Sequence, residues 1–575
     1  WGLGENIVQG MVNPDEFYVF KPALSDARYR PVISKKLGDK DKKMVFASAE
    51  TGRTCNIPTS WDERKSAVLD DDEILKLARW TVLIEEHFKC PMDIEWAKDG
   101  KDDQLYIVQA RPETVQSTKK KGGLQTFRLI GQGEALVIGR SVGQGIVAAE
   151  VCKIARPSER DLFKEGCILV TEMTDPDWVP IMKKAVGIVT DHGGRTCHAA
   201  IVSRELGIPA VVGTSDATAV LQDYQPVTLS CAEGDEGKVY RGTLEFEVNE
   251  VSYVDLPATK TKLMMNIASP DAAFRWWEIP NDGVGLARIE FIINDVVRAH
   301  PMALVKYDDL EDLKVKAQIE KLTEGYSDRR EYFVDKLAEG VAMIAAAYHP
   351  NEVIVRMSDF KSNEYANLIG GQQFEPDEEN PMLGFRGAAR YCDERYREGF
   401  ALECKAMKVV REEMGLTNVK LMIPFCRTLE EADAVLKVMA DYGLSRGENG
   451  LEIFVMAEIP SNVILAAEFA ARFDGFSIGS NDLTQLTLGI DRDSGILSQA
   501  FDERNEAVKR MIRMLLKTAR EHDTKVGICG QAPSDYPEFA AFLVREGIDS
   551  LSLNPDSIVK VRKRIAEVEK ELRGE

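Results

Sequence analysis

The chain has 575 residues, 44 % apolar and 29 % charged, with a formal net charge of −21. That length exceeds what one hydrophobic core supports and predicts three or four domains. The acidity argues against nucleic-acid binding, which relies on clustered Lys and Arg facing phosphates, and no apolar run is long enough to span a membrane. The N-terminus, starting at Trp1, shows no basic stretch leading into an apolar one and so no signal peptide. Ten cysteines without a C-x-x-C pair indicate neither a zinc ribbon nor a disulfide framework, and reduced thiols in the cytoplasm fit best.

Residues 1–115 mix short strands with one helix, 71–87, and close with the strand LYIVQARPE. The early GLGENI is not a dinucleotide fingerprint, because the third glycine of G-x-G-x-x-G is missing. The stretch VQSTKKKGGLQ, 115–125, offers little that could pack and reads as a linker. From 128 to 242 short apolar runs punctuated by glycine surround one clear helix, 197–206, stopped by Gly207 and Pro209. That pattern predicts a compact β-rich unit. A second connection, VNEVSYVDLPATKTK, leads out of it, so flexible connections are expected at 115–128 and 242–260. Beyond 260, apolar or β-branched runs alternate with amphipathic helices: KLMMNIA, DGVGLARI, VIVRMSD, VKLMIPF, EIFVMAEI, GFSIGS, KVGICG and DSLSLN. Eight such runs, with helices at 428–441, 503–521 and 556–571, predict a (β/α)₈ barrel. The stretches 290–352 and 360–417 are expected to be insertions on its catalytic face or at its rim.

The string HGGRTCHAAIVSRELGIP sets two glycines and a Thr ahead of His198, with a helix starting at or beside it. A helix start has unpaired N–H groups and favours an anion by roughly 0.3–1 kcal/mol at an exposed site. Gly193 and Gly194 allow the backbone to approach phosphate, and Arg195 and Thr196 can bond phosphoryl oxygens. A phosphohistidine at 198 fits this string better than an incidental His beside a helix cap. His192 is read as structural.

In a (β/α)₈ barrel the polar residues at the C-terminal strand ends face the active site. Arg288 ends the second run, Arg356 lies in the third just before Asp359, and Glu458 ends the fifth. Asn481 and Asp482 follow the sixth, and Cys529 ends the seventh. Two arginines can clamp a carboxylate and an incoming phosphate, and two carboxylates can hold Mg²⁺ while leaving positions for substrate oxygens. That is a site for an oxyacid; were it an α-keto acid, a bound metal would stabilise its enolate and Cys529 could move a proton at the methyl carbon. The plainer alternatives are an Arg356–Asp359 pair, a helix cap at Glu458 and a merely buried Cys529.

Strings across essentially the whole chain resemble the phosphoenolpyruvate synthases (pyruvate, water dikinases) of the PEP-utilising enzyme family, where PEP is phosphoenolpyruvate. They include PMDIEWAKDG, VQARPETV, DPDWVPIMKKAVGIVTDHGGRTCHAAIVSRELGIPAVVG, GVGLARIEFIIN, VRMSDFKSNEYANLIGG, NPMLGFRG, AEIPSN, GFSIGSNDLTQLTLGIDRDSG and GICGQAPSD. The resemblance implies a multidomain α/β protein: the C-terminal part of an ATP-grasp nucleotide domain at 1–115, a swivelling phosphohistidine domain at 128–242 and a PEP/pyruvate-binding TIM barrel at 260–575. It implies conversion of ATP, pyruvate and water to AMP, PEP and phosphate, in gluconeogenesis, through phosphohistidine 198, with Cys529 as proton donor. Arg288, Arg356, Gly479, Ser480 and Asn481 are implied substrate contacts, and Glu458 and Asp482 implied Mg²⁺ ligands that also touch substrate. Glu95, Gln109 and Arg111 are implied nucleotide contacts. Because the family's ATP-grasp domain has two halves, a chain starting at Trp1 is expected to lack the first, and with it efficient ATP cleavage. The resemblance also implies a homo-oligomer, a dimer, in the cytoplasm. Pyruvate phosphate dikinase, a phosphocarrier like enzyme I of the sugar phosphotransferase system, and an idle regulatory module remain the alternatives.

Overall fold

A computed structural model of the chain describes residues 1–47, 53–113, 123–143, 145–174, 178–193, 198–206, 208–233, 236–252, 256–490 and 500–574. The chain forms two compact units, Trp1–Tyr18 with Lys35–Val254, and Val19–Ser34 with Asp255–Glu575. Among the described residues no helix is long and apolar enough to cross a membrane.

In the first unit the front segment is built from antiparallel pairs, Lys42–Phe46 with Thr54–Pro58 and Met92–Lys98 with Leu105–Pro112. Between them runs the helix Asp71–Phe88, opened by a reciprocal Asp70–Glu73 capping box and ended by Lys89 in a left-handed conformation. The β-rich segment closes seven strands into a barrel. Three of these, Ile168–Thr171, Gly187–Thr190 and Ala210–Val212, run parallel and are wholly buried, which explains their unbroken apolar character. The helix His198–Leu206 lays Ala199, Ala200 and Val202 against Trp178, Ile181, Met182 and Ile188.

The connections differ from expectation. Gly123–Leu129 and Phe246–Ser252 pair antiparallel, from Phe246 opposite Leu129 to Ser252 opposite Gly123, so parts of both supposed linkers form one ribbon. Phe127, Leu129, Phe246 and Val248 alternate with Arg128, Glu247 and Asn249, a strand period that the neighbouring Lys/Gly run obscures. Residues 114–122 lie outside the described residues.

The second unit closes eight parallel strands: β1 Lys262–Ile267, β2 Val284–Arg288, β3 Val353–Arg356, β4 Val419–Ile423, β5 Ile453–Ala457, β6 Gly475–Ile478, β7 Lys525–Ile528 and β8 Ser550–Leu553. The closing pair sets Lys262 opposite Ser550. Each strand is one of the eight runs read in the sequence, and the helices Leu429–Asp441, Glu506–Glu521 and Ile558–Arg573 match the expected ones. The stretches 290–352 and 360–417 are only partly insertions. They contain the helices Arg329–Tyr348 and Arg397–Lys408, which precede β3 and β4 as the crossovers that parallel strands require. The first is buried at Phe333, Val334, Leu337, Ala338, Val341, Ala342 and Ile344, around too much of its circumference to show a clear amphipathic stripe.

At the N-terminal end of the barrel a ladder of alternating charges ties strand starts together. Lys262 meets Glu352 at 2.9 Å, Glu352 meets Lys420 at 2.6 Å, Lys420 meets Glu452 at 2.8 Å, and Glu452 meets Lys525 at 2.9 Å. Lys420 is the centre, shared by two carboxylates and well shielded from solvent. Its replacement by Met is expected to destabilise the chain by about 1–2 kcal/mol, between the values for exposed and buried pairs. Urea unfolding should show the gap shrinking at high salt, and a salt-independent gap would mean that packing rather than charge is lost.

Candidate active site

The histidine helix starts where the parallel strands of the seven-stranded barrel end. After Gly187–Thr190 the chain is pinned by Asp191 N–H to Thr171 O at 3.2 Å and His192 N–H to Glu172 O at 2.9 Å. Thr214 and Ser215 N–H groups bond back to Thr190 O and Asp191 O. The Asp191 carboxylate accepts from Thr218 N–H at 2.9 Å and from the Thr218 hydroxyl. A Cβ on Gly213, whose φ is +69°, would lie 2.6 Å from Gly193 O, so only glycine lets these loops meet. The backbone of His198 opens the helix; its side chain, and Gly194, Arg195 and Thr196, lie outside the described residues. His192 is exposed and acts through its backbone.

In the (β/α)₈ barrel the expected strand ends converge. Arg356 Nη2 donates to Glu290 Oε1 at 2.7 Å, and its Nη1 lies 3.6 Å from Asp359. Arg386 grips Asp359 with Nε at 3.0 Å and Nη2 at 2.6 Å, while its Nη1 stands 3.6 Å from Asp482. The Arg386 guanidinium lies 4.1 Å over the Phe425 ring. Glu458 accepts the Phe425 N–H at 2.6 Å, whereas Asn462 Oδ1 caps the following short helix; the helix-cap alternative for Glu458 therefore falls. A Cβ on Gly479 would stand 2.9 Å from Glu458 Oε2, and one on Gly530 would collide with Ser480 Oγ, whose hydroxyl donates to Glu503. Asn481 sits beside them in the first turn of the helix Ser480–Leu488.

Cys529 directly follows β7 and packs with an interior cluster of Leu286, Ile354, Met422, Phe454 and Met456. Burial pushes its thiol pKa up; Ser477 and the positive charges of Arg356 and Arg288 pull the other way, so both arginines bear on the sulfur. Burial also holds the Glu458 carboxyl well above the usual range, reinforced by the nearby charges of Asp482 and Asp359 and opposed by Arg386 and Arg356. A divalent cation shared by Glu458 and Asp482 would relieve that repulsion. Mg²⁺ usually takes one or two carboxylates and leaves its other positions to water and substrate oxygens, so this pair fits it. Among the described residues no group of three or more His, Cys, Asp or Glu forms a metal cage.

Arg386 and Glu290 were not singled out from sequence, and Asp359 was seen only as a possible partner of Arg356. Arg386 sits in NPMLGFRG, far from any strand end, and reaches the barrel mouth because Gly387, at φ +58°, lets the loop press against Pro424 and Phe425. Glycines flanking a lone Arg were the available signal.

The implied nucleotide contacts lie on the hairpin Met92–Lys98/Leu105–Pro112. Glu95 stands opposite Gln109, and Asp93 opposite Arg111, with Arg111 Nε 3.5 Å from Asp93. The alternation of strand side chains sets these four on one face, and all are exposed.

Comparison with known proteins decides the family. The profile described as PEP-utilising enzyme, PEP-binding domain, matches residues 245–570; that of the pyruvate phosphate dikinase AMP/ATP-binding domain matches 1–128; and that of the PEP-utilising enzyme mobile domain matches 163–234. The chain is 57 % identical to phosphoenolpyruvate synthase of Synechocystis sp., with all of this chain and 71 % of that protein covered. It is 52 % identical to the Aquifex aeolicus protein of that name, covering 100 % and 73 %, and 54 % identical to that of Escherichia coli, covering 99 % and 72 %. The chain belongs to the PEP-utilising enzyme family. These matches do not bear out the expected loss of a front half of the nucleotide domain.

Within this family member the barrel mouth is backed by a buried polar network. Glu403 accepts from Ser358 N–H at 3.1 Å, from Ser358 Oγ at 2.5 Å and from Tyr396 OH at 3.1 Å. Beside it Arg390 is bidentate to Glu375 at 2.5 and 2.6 Å, and His300 bonds the same Glu375 at 3.0 Å. Burial pushes the Glu403 pKa up to about 7 from its ordinary 4.5, although its hydroxyl and N–H donors lower it. Between those two values the folded state binds more protons than the unfolded chain, so this group's contribution to stability falls as pH rises to about 7 and is level above. The fall amounts to about 3 kcal/mol. Urea unfolding at pH 5 and pH 8 should therefore show Glu403→Gln less sensitive to pH than the parent chain; parallel pH profiles would mean that Glu403 ionises normally.

Proposed function

We propose that the chain catalyses phosphoenolpyruvate synthesis from ATP, pyruvate and water, with AMP and phosphate as the other products and His198 as the carrier. One observation supports this above the rest: three arginines, Glu458, Asp482 and Cys529 meet at the C-terminal ends of the barrel strands, where this fold builds its active sites. The chain supplies a clamp for a small oxyacid there and a helix-start histidine in its other unit. Arg288 and Arg356 hold the pyruvate carboxylate and the incoming phosphoryl oxygens by paired charge-assisted hydrogen bonds. Gly479, Ser480 and Asn481 line the approach at β6, and the close packing of Gly479 on Glu458 keeps that floor narrow. Glu458 and Asp482 would hold Mg²⁺, which would supply Lewis-acid stabilisation of developing enolate charge.

Cys529, as the thiolate that the neighbouring arginines favour, takes a proton from the pyruvate methyl carbon in the synthetic direction to become the thiol, and returns it in reverse. The enolate oxygen then forms a bond to phosphorus as the phosphorus–nitrogen bond at His198 breaks. Transfer to an enol is strongly uphill, and cleavage of both ATP anhydride bonds offsets it: of the two phosphoryl groups removed, one goes to water and one stays on His198. The exposed face of Glu95, Gln109 and Arg111 contributes to the nucleotide site. The reaction belongs to gluconeogenesis in the cytoplasm.

In Mg²⁺ the chain is expected to exchange label between pyruvate and PEP, and incubation with PEP should add one phosphoryl mass at the peptide carrying His198. His198→Ala should abolish both. Cys529→Ala should slow exchange by about 10²–10⁴-fold, the usual worth of a positioned proton-transfer group, while the histidine is still phosphorylated by ATP. Exchange that survives His198→Ala overturns the proposal.

A further inference from the structure

One buried carboxylate touches two parts of the arginine cluster at once. Glu290 stands two residues beyond Arg288, in the short helix Ile289–Ile292 that follows β2, and is 8 % exposed. Its Oε1 accepts Arg356 Nη2 at 2.7 Å and the backbone N–H of Asp359 at 2.7 Å. Asp359 in turn holds Arg386 through both carboxylate oxygens. A single oxygen arriving from β2 thus fixes the guanidinium on β3 directly and that on the following loop at one remove.

The geometry also shows what this arrangement gives up. A carboxylate and a guanidinium pair most strongly through two parallel hydrogen bonds. Here Glu290 Oε2 and Arg356 Nε are buried without a hydrogen-bond partner among the described residues. Side-by-side pairing would satisfy both atoms, yet Oε1 is turned to catch the Asp359 N–H as well as the arginine. One carboxylate oxygen thereby bears on the placement of two cations, Arg356 directly and Arg386 through Asp359.

We infer that Glu290 is a positioning residue that aims Arg356, and through Asp359 also Arg386, at the oxygens of the bound oxyacid. The inference rests on the reading of the barrel mouth given above. Its test is calorimetric binding of oxalate, a planar dicarboxylate with the shape of the pyruvate enolate, in the presence of Mg²⁺, to the full chain. The variants are Glu290→Gln, Glu290→Asp, Arg356→Lys and the double variant Glu290→Gln/Arg356→Lys, each with its thermal midpoint.

Glu290→Gln is expected to weaken oxalate about tenfold, the worth of one hydrogen bond to a charged group, at a midpoint close to the parent's. Because Glu290 acts through Arg356, the double variant should bind no more than about twofold more weakly than Arg356→Lys alone. Glu290→Asp keeps the charge but shortens the reach, and it carries the test if the Gln variant unfolds; it too should weaken oxalate. Unchanged oxalate affinity in both Glu290 variants, or full additivity in the double variant, overturns the inference. Failure of the parent chain to bind oxalate with Mg²⁺ would instead remove the underlying reading of the barrel.

Discussion

Charge balance in a confined space governs this molecule. Closing eight parallel strands brings every strand's C-terminal end to one mouth, and at that mouth three guanidinium groups meet four carboxyl groups, those of Glu290, Asp359, Glu458 and Asp482. Burying one unpaired charge is very costly, so Arg356 and Arg386 are each flanked by acids. The exception to this balance is Glu458, whose carboxyl pKa burial holds well above the usual range, reinforced by the nearby charges of Asp482 and Asp359. A divalent cation shared by Glu458 and Asp482 would offset that repulsion, so the same electrostatics favour a metal there.

The arginines are aimed by what lies behind them. Glu290 and Asp359 orient Arg356 and Arg386 from one side, and the Phe425 ring supports Arg386 from beneath. A further layer, Glu403 with Ser358 and the tyrosines Tyr365 and Tyr396, fixes the turn that carries Asp359. Arg390 is stacked between Tyr365 and Phe385 at 4.4 and 4.3 Å while it holds Glu375. Removing a partner from such a network leaves a half-satisfied buried group, which is worse than an apolar one.

The first unit solves a different problem. On the proposed function a phosphorylated His198 must be accessible yet oriented; the loops after three parallel strands are laced together by backbone hydrogen bonds and one glycine contact, Gly213 on Gly193, just ahead of the helix that His198 opens. The rigid part of the device is therefore backbone, leaving the helix start and its dipole for an anion.

Sequence alone determined the periodic and the local. Eight buried strands read as eight apolar runs because parallel barrel strands are covered on both faces, and the polar residues at their ends stood out against that background: Arg288, Arg356, Glu458, Asp482 and Cys529. The histidine was legible for the same reason, as a polar glycine-rich string running into a helix. Tertiary structure decided whatever depends on chain segments far apart in sequence. Arg386 reaches the site from a loop, Glu290 is one acid among many until its oxygen is seen on Arg356 and Asp359, and the two connecting segments became a ribbon only by pairing across 116 intervening positions, from Leu129 to Phe246. Periodicity records what faces a core; it carries no record of which distant charge stands opposite.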